Sequence, residues 1–561
     1  MFSTALKIDQ LNDFLNLSEE CVLPVNKDVK TYEVKLRNNA TRHSTSSTKK
    51  VLVGLSDCMT CSGCLTSSED VILRNRGYED IAKKLESEQW AVVSIAPQTA
   101  FMFAAVYRVS YQTAFRRLSY LLRKLGAKKV YDMQLADAVA VQQAILEFKR
   151  YVDISGSNLD GQNSSTITAC TVAGNHSFNS TAHVASINRQ LPIITSHCPG
   201  WTTYAEKNLG PNVVSKISNK SSSQQIQGML IKTLGRILDT SKLKKSTVVG
   251  HAFNGGYHGL ENWSISTDMP TKIYHVVTAP CYDKKVEAMR HQGVDLKKLY
   301  NRMGITVDAE VFVDDVLSTS DLQKIMELYN IDFDTLPEMD LDPVFTQDHA
   351  AIFSQMFGKM FGTDVHVPEP YTYIRPSLKY SQSGGFAQEL KQFAKKYLGI
   401  PDAEFEETIN PDYREATLRS GNRIMKFVLA YGFRNVQNML QKIKKQEDCQ
   451  IAYIEVMACP GGCFNGAGQV LIPPEKPRGL PYIGKLLDMF RGQNDVEPAK
   501  LASALYHESS DYVCTDQRTD VVAITNTVIP TFSSYVGTDI VGTRFESTDP
   551  GQKSSVAALK W

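Results

Sequence analysis

Residues Glu455 to Gly468 read EVMACPGGCFNGAG and carry Cys459 and Cys463 on either side of Pro460, Gly461 and Gly462. On a helix, two thiols four positions apart would share a face, but a proline followed by paired glycines favours a tight loop. Glycines also let backbone N–H groups come close to an anion, which suits a thiolate-ligated iron–sulfur cube with its bridging sulfides. The apolar run Ile451 to Met457 reads as a buried strand, so Cys459 falls at a strand end. Sites in open α/β sheets draw their ligands from such ends. Two cysteines do not hold a four-iron cluster, and thiolates at loop spacing admit zinc as well as iron–sulfur. Their partners must come from elsewhere in the chain.

Leu191 to Thr195 is a short apolar strand running into SHCPGW, which sets Cys198 before Pro199 and Gly200. Ile273 to Thr278 is another, and it delivers Cys281 within APCYDKK. Three separate segments thus offer thiolates from the same kind of position. Near the start, SDCMTCSGC places Cys58, Cys61 and Cys64 at two-residue gaps, the run that wraps three corners of a four-iron cluster in bacterial-type ferredoxins. The usual fourth cysteine before proline is missing downstream, where Thr66, Ser67 and Ser68 follow, and Cys21 is the nearest candidate for the open corner. A zinc site or a three-ligand cluster are the alternatives there. Cys170, Cys449 and Cys514 read as unliganded.

The chain has 561 residues, of which 42% are hydrophobic and 22% charged, an ordinary globular composition with room for several domains. Sixty-one basic against 60 acidic residues leave a net charge of +1, which gives no reason to expect nucleic acid or an anionic membrane as the main partner. Lys7 and Asp9 stand where a signal peptide needs an apolar core, and no later stretch reaches ~18 consecutive apolar residues, so neither secretion nor membrane spanning is expected. Eleven cysteines, an odd number at short spacings, fit metal ligation in a reducing compartment better than a disulfide framework.

Gln89 to Pro97 predicts a buried strand, Phe101 to Gly126 helical periodicity, Lys129 to Met133 a second strand and Ala136 to Phe148 another helix. This βαβα order predicts a parallel sheet covered by helices. The expected divisions are an iron–sulfur segment at 1–75 with a flexible connector at 30–50, a first lobe at 88–300 interrupted by Ser-, Asn- and Gly-rich insertions at 153–188 and 239–270, a second lobe at 301–505, and a tail at 506–561. Gly384 and Gly385 precede a helical run, a weak signal on their own.

TSHCPGW, APCYDKKVEA and EVMACPGGCFNGAGQ together resemble the three active-site segments of iron-only hydrogenases, in that family's order and over most of residues 90 to 505. The resemblance implies an α/β fold, a two-lobed body of sheets covered by helices, preceded by a small ferredoxin-like iron–sulfur segment. It also implies that Cys198, Cys281, Cys459 and Cys463 hold a four-iron cluster, the last cysteine bridging in that family to a two-iron unit. Lys284 matches a lysine that supports a cyanide ligand of that unit, and Met457 a packing methionine. Two positions depart from the pattern. The cysteine that serves the family as proton donor is His197 here, and the methionine two residues before the second-segment cysteine is Ala279. Both changes argue against hydrogen turnover.

Cys21 with Cys58, Cys61 and Cys64, the hydrogenase-like body and the terminal Trp561 resemble, more narrowly, the NARF-type hydrogenase-like proteins that include the NAR cytosolic iron–sulfur assembly factors. That resemblance implies two 4Fe–4S clusters and a non-catalytic role in the cytoplasm and nucleus. The role is to link an early scaffold complex to the targeting complex that matures cytosolic and nuclear iron–sulfur proteins. Trp561, at the end of Leu559-Lys560-Trp561, resembles a tail signal read by the targeting complex. An aromatic with a free carboxylate is also a plausible docking anchor on physical grounds. The alternatives are an iron-only hydrogenase and an electron-transfer protein that uses two clusters as a wire.

Overall fold

The computed structural model describes residues 77–88, 90–157, 191–235, 243–245, 263–265, 272–289, 311–344, 383, 385–399, 406–420, 423–445, 450–470, 502–503 and 524–525. Cys21, Cys58, Cys61, Cys64 and Trp561 lie outside them, as do Cys170, Cys449, Cys514, the 30–50 connector and most of both insertions.

After helix α1 (Tyr78–Ser87), strand β1 (Ala91–Ile95) is buried at all five positions, the pattern of a parallel strand covered on both faces. Pro97 then opens α2 (Pro97–Tyr107) at the first helical position, where its missing N–H costs nothing. The helical stretch expected up to Gly126 is two helices. Arg108 turns left-handed (φ +52°), and Ser110 restarts the chain as the cap of α3 (Tyr111–Lys124), its hydroxyl accepting from the Thr113 N–H. Strand β2 (Lys129–Asp132) follows, then α4 (Gln134–Ser157). The last of these runs several residues past Phe148, into the start of the expected insertion.

The first sheet has the order β2-β1-β6-β7, with β6 at Tyr274–Ala279 and β7 at Asp315–Ser318, and all its neighbours are parallel. In between, β4 (Leu243–Lys245) and β5 (Trp263–Ile265) form an antiparallel pair within the 239–270 insertion. The second sheet has the order β3-β11-β10-β9-β8. Its strands are β3 (Ile193–Thr195), β8 (Glu406–Asn410), β9 (Tyr413–Ser420), β10 (Arg423–Tyr431) and β11 (Ile451–Met457). The β3, β11 and β10 strands run parallel, and β9 and β8 complete an antiparallel meander. Each sheet takes a strand from either side of residue 300, because β3 joins the second and β7 the first.

Strand β6 shows how the layers are fixed. Tyr274 and Val276 belong to the core that holds Phe101, Phe115 and Leu118, whereas Val277 and Ala279 belong to the core shared with Ile194, Val456 and Met457 of the second sheet. Alternate residues of one strand thus bind two apolar clusters. The second cluster spans both sheets.

A polar tie runs through the first sheet. His275 of β6 is fully buried, with Nε2 2.9 Å from Ser94 Oγ and Nδ1 2.9 Å from the Phe312 carbonyl. Gln227, on helix α6 (Ser223–Met229), donates to Ser94 Oγ and to the Asp132 carbonyl. Burial pushes the His275 imidazole down to about 3, so it stays neutral when folded. The unfolded chain takes up that proton below about pH 6.5, while the native state refuses it until near the depressed value. Stability contributed by His275 is therefore full above pH 6.5 and is lost as the pH falls towards 3. Urea unfolding should show about 1.5–2 kcal/mol less stability at pH 5 than at pH 7 from this group, and His275→Gln should remove that part of the acid slope. An unchanged slope in the variant would assign the acid sensitivity to other groups.

Candidate metal centre

Strand ends bring the cysteines together. β3 and β11 lie side by side with Thr195 opposite Glu455, so the segments leading to Cys198 and Cys459 leave the second sheet at the same level. In the first sheet β6 ends at Ala279, and Cys281 follows after Pro280. All three cysteines thus sit beyond the carboxyl ends of parallel strands.

Cys463 is returned by the loop. Gly461 and Gly462 have φ of +67° and +81°, conformations that favour glycine. The Gly462 N–H donates to the Cys459 carbonyl at 3.2 Å, the Gly461 N–H to an Asp412 carboxylate oxygen at 2.7 Å, and the Asn465 amide to the Pro460 carbonyl at 2.9 Å. Two further glycines then let this loop press on the first sheet. A Cβ on Gly466 would stand 2.4 Å from the Pro280 carbonyl oxygen, and one on Gly468 would stand 3.0 Å from the Cys281 Cα. The Gly468 N–H donates to that same Pro280 oxygen at 3.0 Å. Glycine here is a requirement of approach.

All four cysteines are free thiols, Cys198 buried and the others partly so. They interact electrostatically: Cys281 feels Cys198, Cys463 and Cys459, and Cys198 feels Cys463. Burial pushes the Cys198 thiol up to about 12, with the Asp283 carboxylate adding to it, while the N–H groups of Trp201 and Ala458 pull the other way. Burial and then Asp283 push Cys281 well above the ordinary thiol value, and burial raises Cys463 against the pull of Ser383 and Lys284. Such a set ionises together only if a cationic core compensates the charge, which is the chemistry of a metal centre. Among the described residues, no three His, Cys, Asp or Glu side chains are grouped to hold a single metal ion. A four-iron cube asks instead for one thiolate at each of four separate corners, and the donor set fits that demand.

Hydroxyls and carboxylates hold the ligand loops. The Cys198 N–H donates to Ser196 Oγ at 3.1 Å, and that hydroxyl donates to the Val456 carbonyl at 2.6 Å. The Cys463 N–H donates to Ser383 Oγ at 2.8 Å. Helix α8 (Phe386–Leu398) begins just beyond, after Gly385 at φ +72°, and has no side-chain cap from Gly385. The fully buried Glu455 of β11 supplies one, accepting from the Ala387 N–H at 2.8 Å and from the Tyr431 hydroxyl at 3.2 Å. Of these residues, Ser196 and Glu455 stand within four positions of a cysteine, whereas Ser383 and Asp412 do not. None of the four shows its role in the sequence, since that role exists only once the sheets are assembled.

His197, the residue before Cys198, is also buried. His197 is 8% exposed, its Nδ1 has no hydrogen-bond partner, and burial followed by the nearby Lys284 charge holds its pKa well below the ordinary value. Lys284 lies on helix α7 (Asp283–Met289), which packs against α5 (Pro199–Asn208), the helix after Cys198. Burial works to lower the Lys284 pKa, but Glu287 at 2.8 Å, with Cys281 and Cys463, outweighs it and the ammonium stays charged. Ala279 and Met457 are buried at their strand ends.

Backbone atoms meet a Cβ at Gly466 on two sides, the Pro280 and Cys463 carbonyl oxygens, so Gly466→Ala should cost about 1–3 kcal/mol in urea unfolding. Gly210→Ala, at φ −68° with nothing within 4 Å, should be neutral or slightly stabilising. Equal effects of the two substitutions would refute the close approach.

Comparison with known proteins agrees with this fold. The family described as iron only hydrogenase large subunit, C-terminal domain, matches residues 89–249 and 261–467. Protein NAR1 of Arabidopsis thaliana is 29% identical over 475 residues, 84% of each chain. Cytosolic iron-sulfur assembly component 3 of Mus musculus is 29% identical over 87% of this chain and 89% of its own. A probable cytosolic Fe-S cluster assembly factor of Aedes aegypti is 30% identical over 88% of this chain and 91% of its own. Among solved structures, the [FeFe]-hydrogenase HydA1 of Chlamydomonas reinhardtii superposes with a TM-score of 0.53 over 84% of this chain and 99% of that one, at 16% identity, a likeness of fold alone. The chain therefore belongs to the iron-only hydrogenase large-subunit family and, within it, to the NAR-type hydrogenase-like proteins.

Proposed function

We propose that the chain is a non-catalytic factor of cytosolic iron–sulfur protein assembly that carries two 4Fe–4S clusters. The observation that carries this reading is the meeting of Cys198, Cys281, Cys459 and Cys463 at the ends of strands from two sheets, each buried thiol within electrostatic reach of others. These four would hold one cluster, and Cys21, Cys58, Cys61 and Cys64 the other. Iron–sulfur centres supply one-electron chemistry and a transferable inorganic unit. The names of the mouse and mosquito relatives, a cytosolic iron-sulfur assembly component and a probable cytosolic Fe-S cluster assembly factor, support the pathway.

The chain's own residues disfavour the hydrogenase alternative. At the position of the donor cysteine stands His197, buried and held neutral, and the Lys284 ammonium is bonded to Glu287 in its own helix. A side chain that serves as proton donor near neutrality must carry a proton it readily gives up there, and the neutral His197 imidazole keeps only its weakly acidic N–H. In the cytoplasm and nucleus the factor would join the early scaffold complex to the targeting complex, with Trp561 as the anchor read by the latter.

Full-length protein prepared without oxygen should contain about eight irons with matching sulfide, as two four-thiolate sets require. Cys281→Ala and Cys463→Ala should each lose about half of the iron, and Cys58→Ala and Cys61→Ala the other half. Zinc, or iron unaffected by these changes, would defeat the assignment. Removal of Trp561 should weaken capture of the targeting complex at unchanged iron content, whereas equal capture would eliminate the tail as the anchor. Hydrogen evolution with infrared bands of iron-bound carbonyl and cyanide would establish the enzyme instead.

A further inference from the structure

We propose that Asp283 is a positioning residue that holds down the reduction potential of the cluster at Cys198, Cys281, Cys459 and Cys463, by setting a carboxylate against its Cys198–Cys281 side. The inference rests on the cluster assignment above and adds the control of its redox state.

The placement follows from one glycine. Gly200 is the second residue of α5, two positions after Cys198, and a Cβ there would stand 2.6 Å from Asp283 Oδ2 and 2.9 Å from its Cγ. The Asp283 carboxylate therefore lies directly on the backbone beside Cys198, and it is itself two residues from Cys281. After burial, Asp283 is the largest influence on both thiols. A fixed negative charge in a partly buried site opposes the arrival of an electron on a neighbouring cluster, and net charge is one of the levers that set such potentials.

The test is an EPR-monitored reductive titration with dithionite of the full-length holoprotein, its Asp283→Asn variant and its Gly200→Ala variant. The signal of this cluster is the one that Cys281→Ala abolishes. Asp283→Asn should keep its iron and move the midpoint to a more positive potential. Gly200→Ala, whose new methyl group displaces the carboxylate, should shift it in the same direction by less. An unchanged midpoint with full iron in Asp283→Asn would overturn the proposal. Iron loss in that variant together with an unshifted Gly200→Ala would also overturn it, and would make Asp283 a structural residue. Wild-type protein with no Cys281-dependent cluster would instead sink the cluster assignment itself.

Discussion

The backbone of Gly466 to Gly468 rests on the backbone of Pro280 and Cys281, and this contact joins the two sheets at the level of the thiols. Neither sheet holds a four-thiolate set alone. The second supplies Cys198, Cys459 and Cys463 from the ends of β3 and β11, and the first supplies Cys281 from the end of β6. A side chain at either glycine would meet carbonyl oxygen or Cα atoms, which move only with the strand behind them. The Gly-x-Gly after Cys463 thus determines the distance between sheets.

Electrostatics makes the assembled site demanding. Burial raises each thiol for which a shift is resolved, and neighbouring thiols raise Cys198 and Cys281 further. Four cysteines in this position are therefore held as neutral groups unless positive charge is brought to them. A cationic core converts the same repulsions into ligation, and the backbone N–H groups of Trp201 and Ala458 near Cys198 then oppose the negative charge of the sulfur. The loops are held by Ser196, Ser383 and Asp412 through the N–H groups of Cys198, Cys463 and Gly461. Those bonds commit the backbone of the loops and not the sulfurs.

Much of the framework was legible because parallel strands in two-sided sheets are continuous apolar runs. Ile451 to Met457 is buried at every position, as its composition requires, and β1, β2 and β6 fall within a residue or two of the runs that announced them. The break between α2 and α3 was missed because Phe101 to Leu122 keeps one apolar period across it, while the cause is local: a left-handed Arg108 and the Ser110 cap. Sheet membership was not legible at all, since a three-residue strand such as β3 carries no mark of its partner. The cysteines were legible through their Pro and Gly flanks. Ser383, Glu455 and the Asp283–Gly200 contact were not, because each is a relation between segments far apart in the chain.

Asp283 and Lys284 illustrate how one dipeptide yields two electrostatic environments. Consecutive residues on a helix project about 100° apart, so opposite charges next to each other in sequence face different neighbours. Asp283 turns to the start of α5, whereas Lys284 turns to Glu287 and Cys463. The carboxylate accordingly pushes the Cys198 and Cys281 thiols up, and the ammonium pulls Cys463 down. One turn of helix thereby sets charges of opposite sign against different members of the same thiol set.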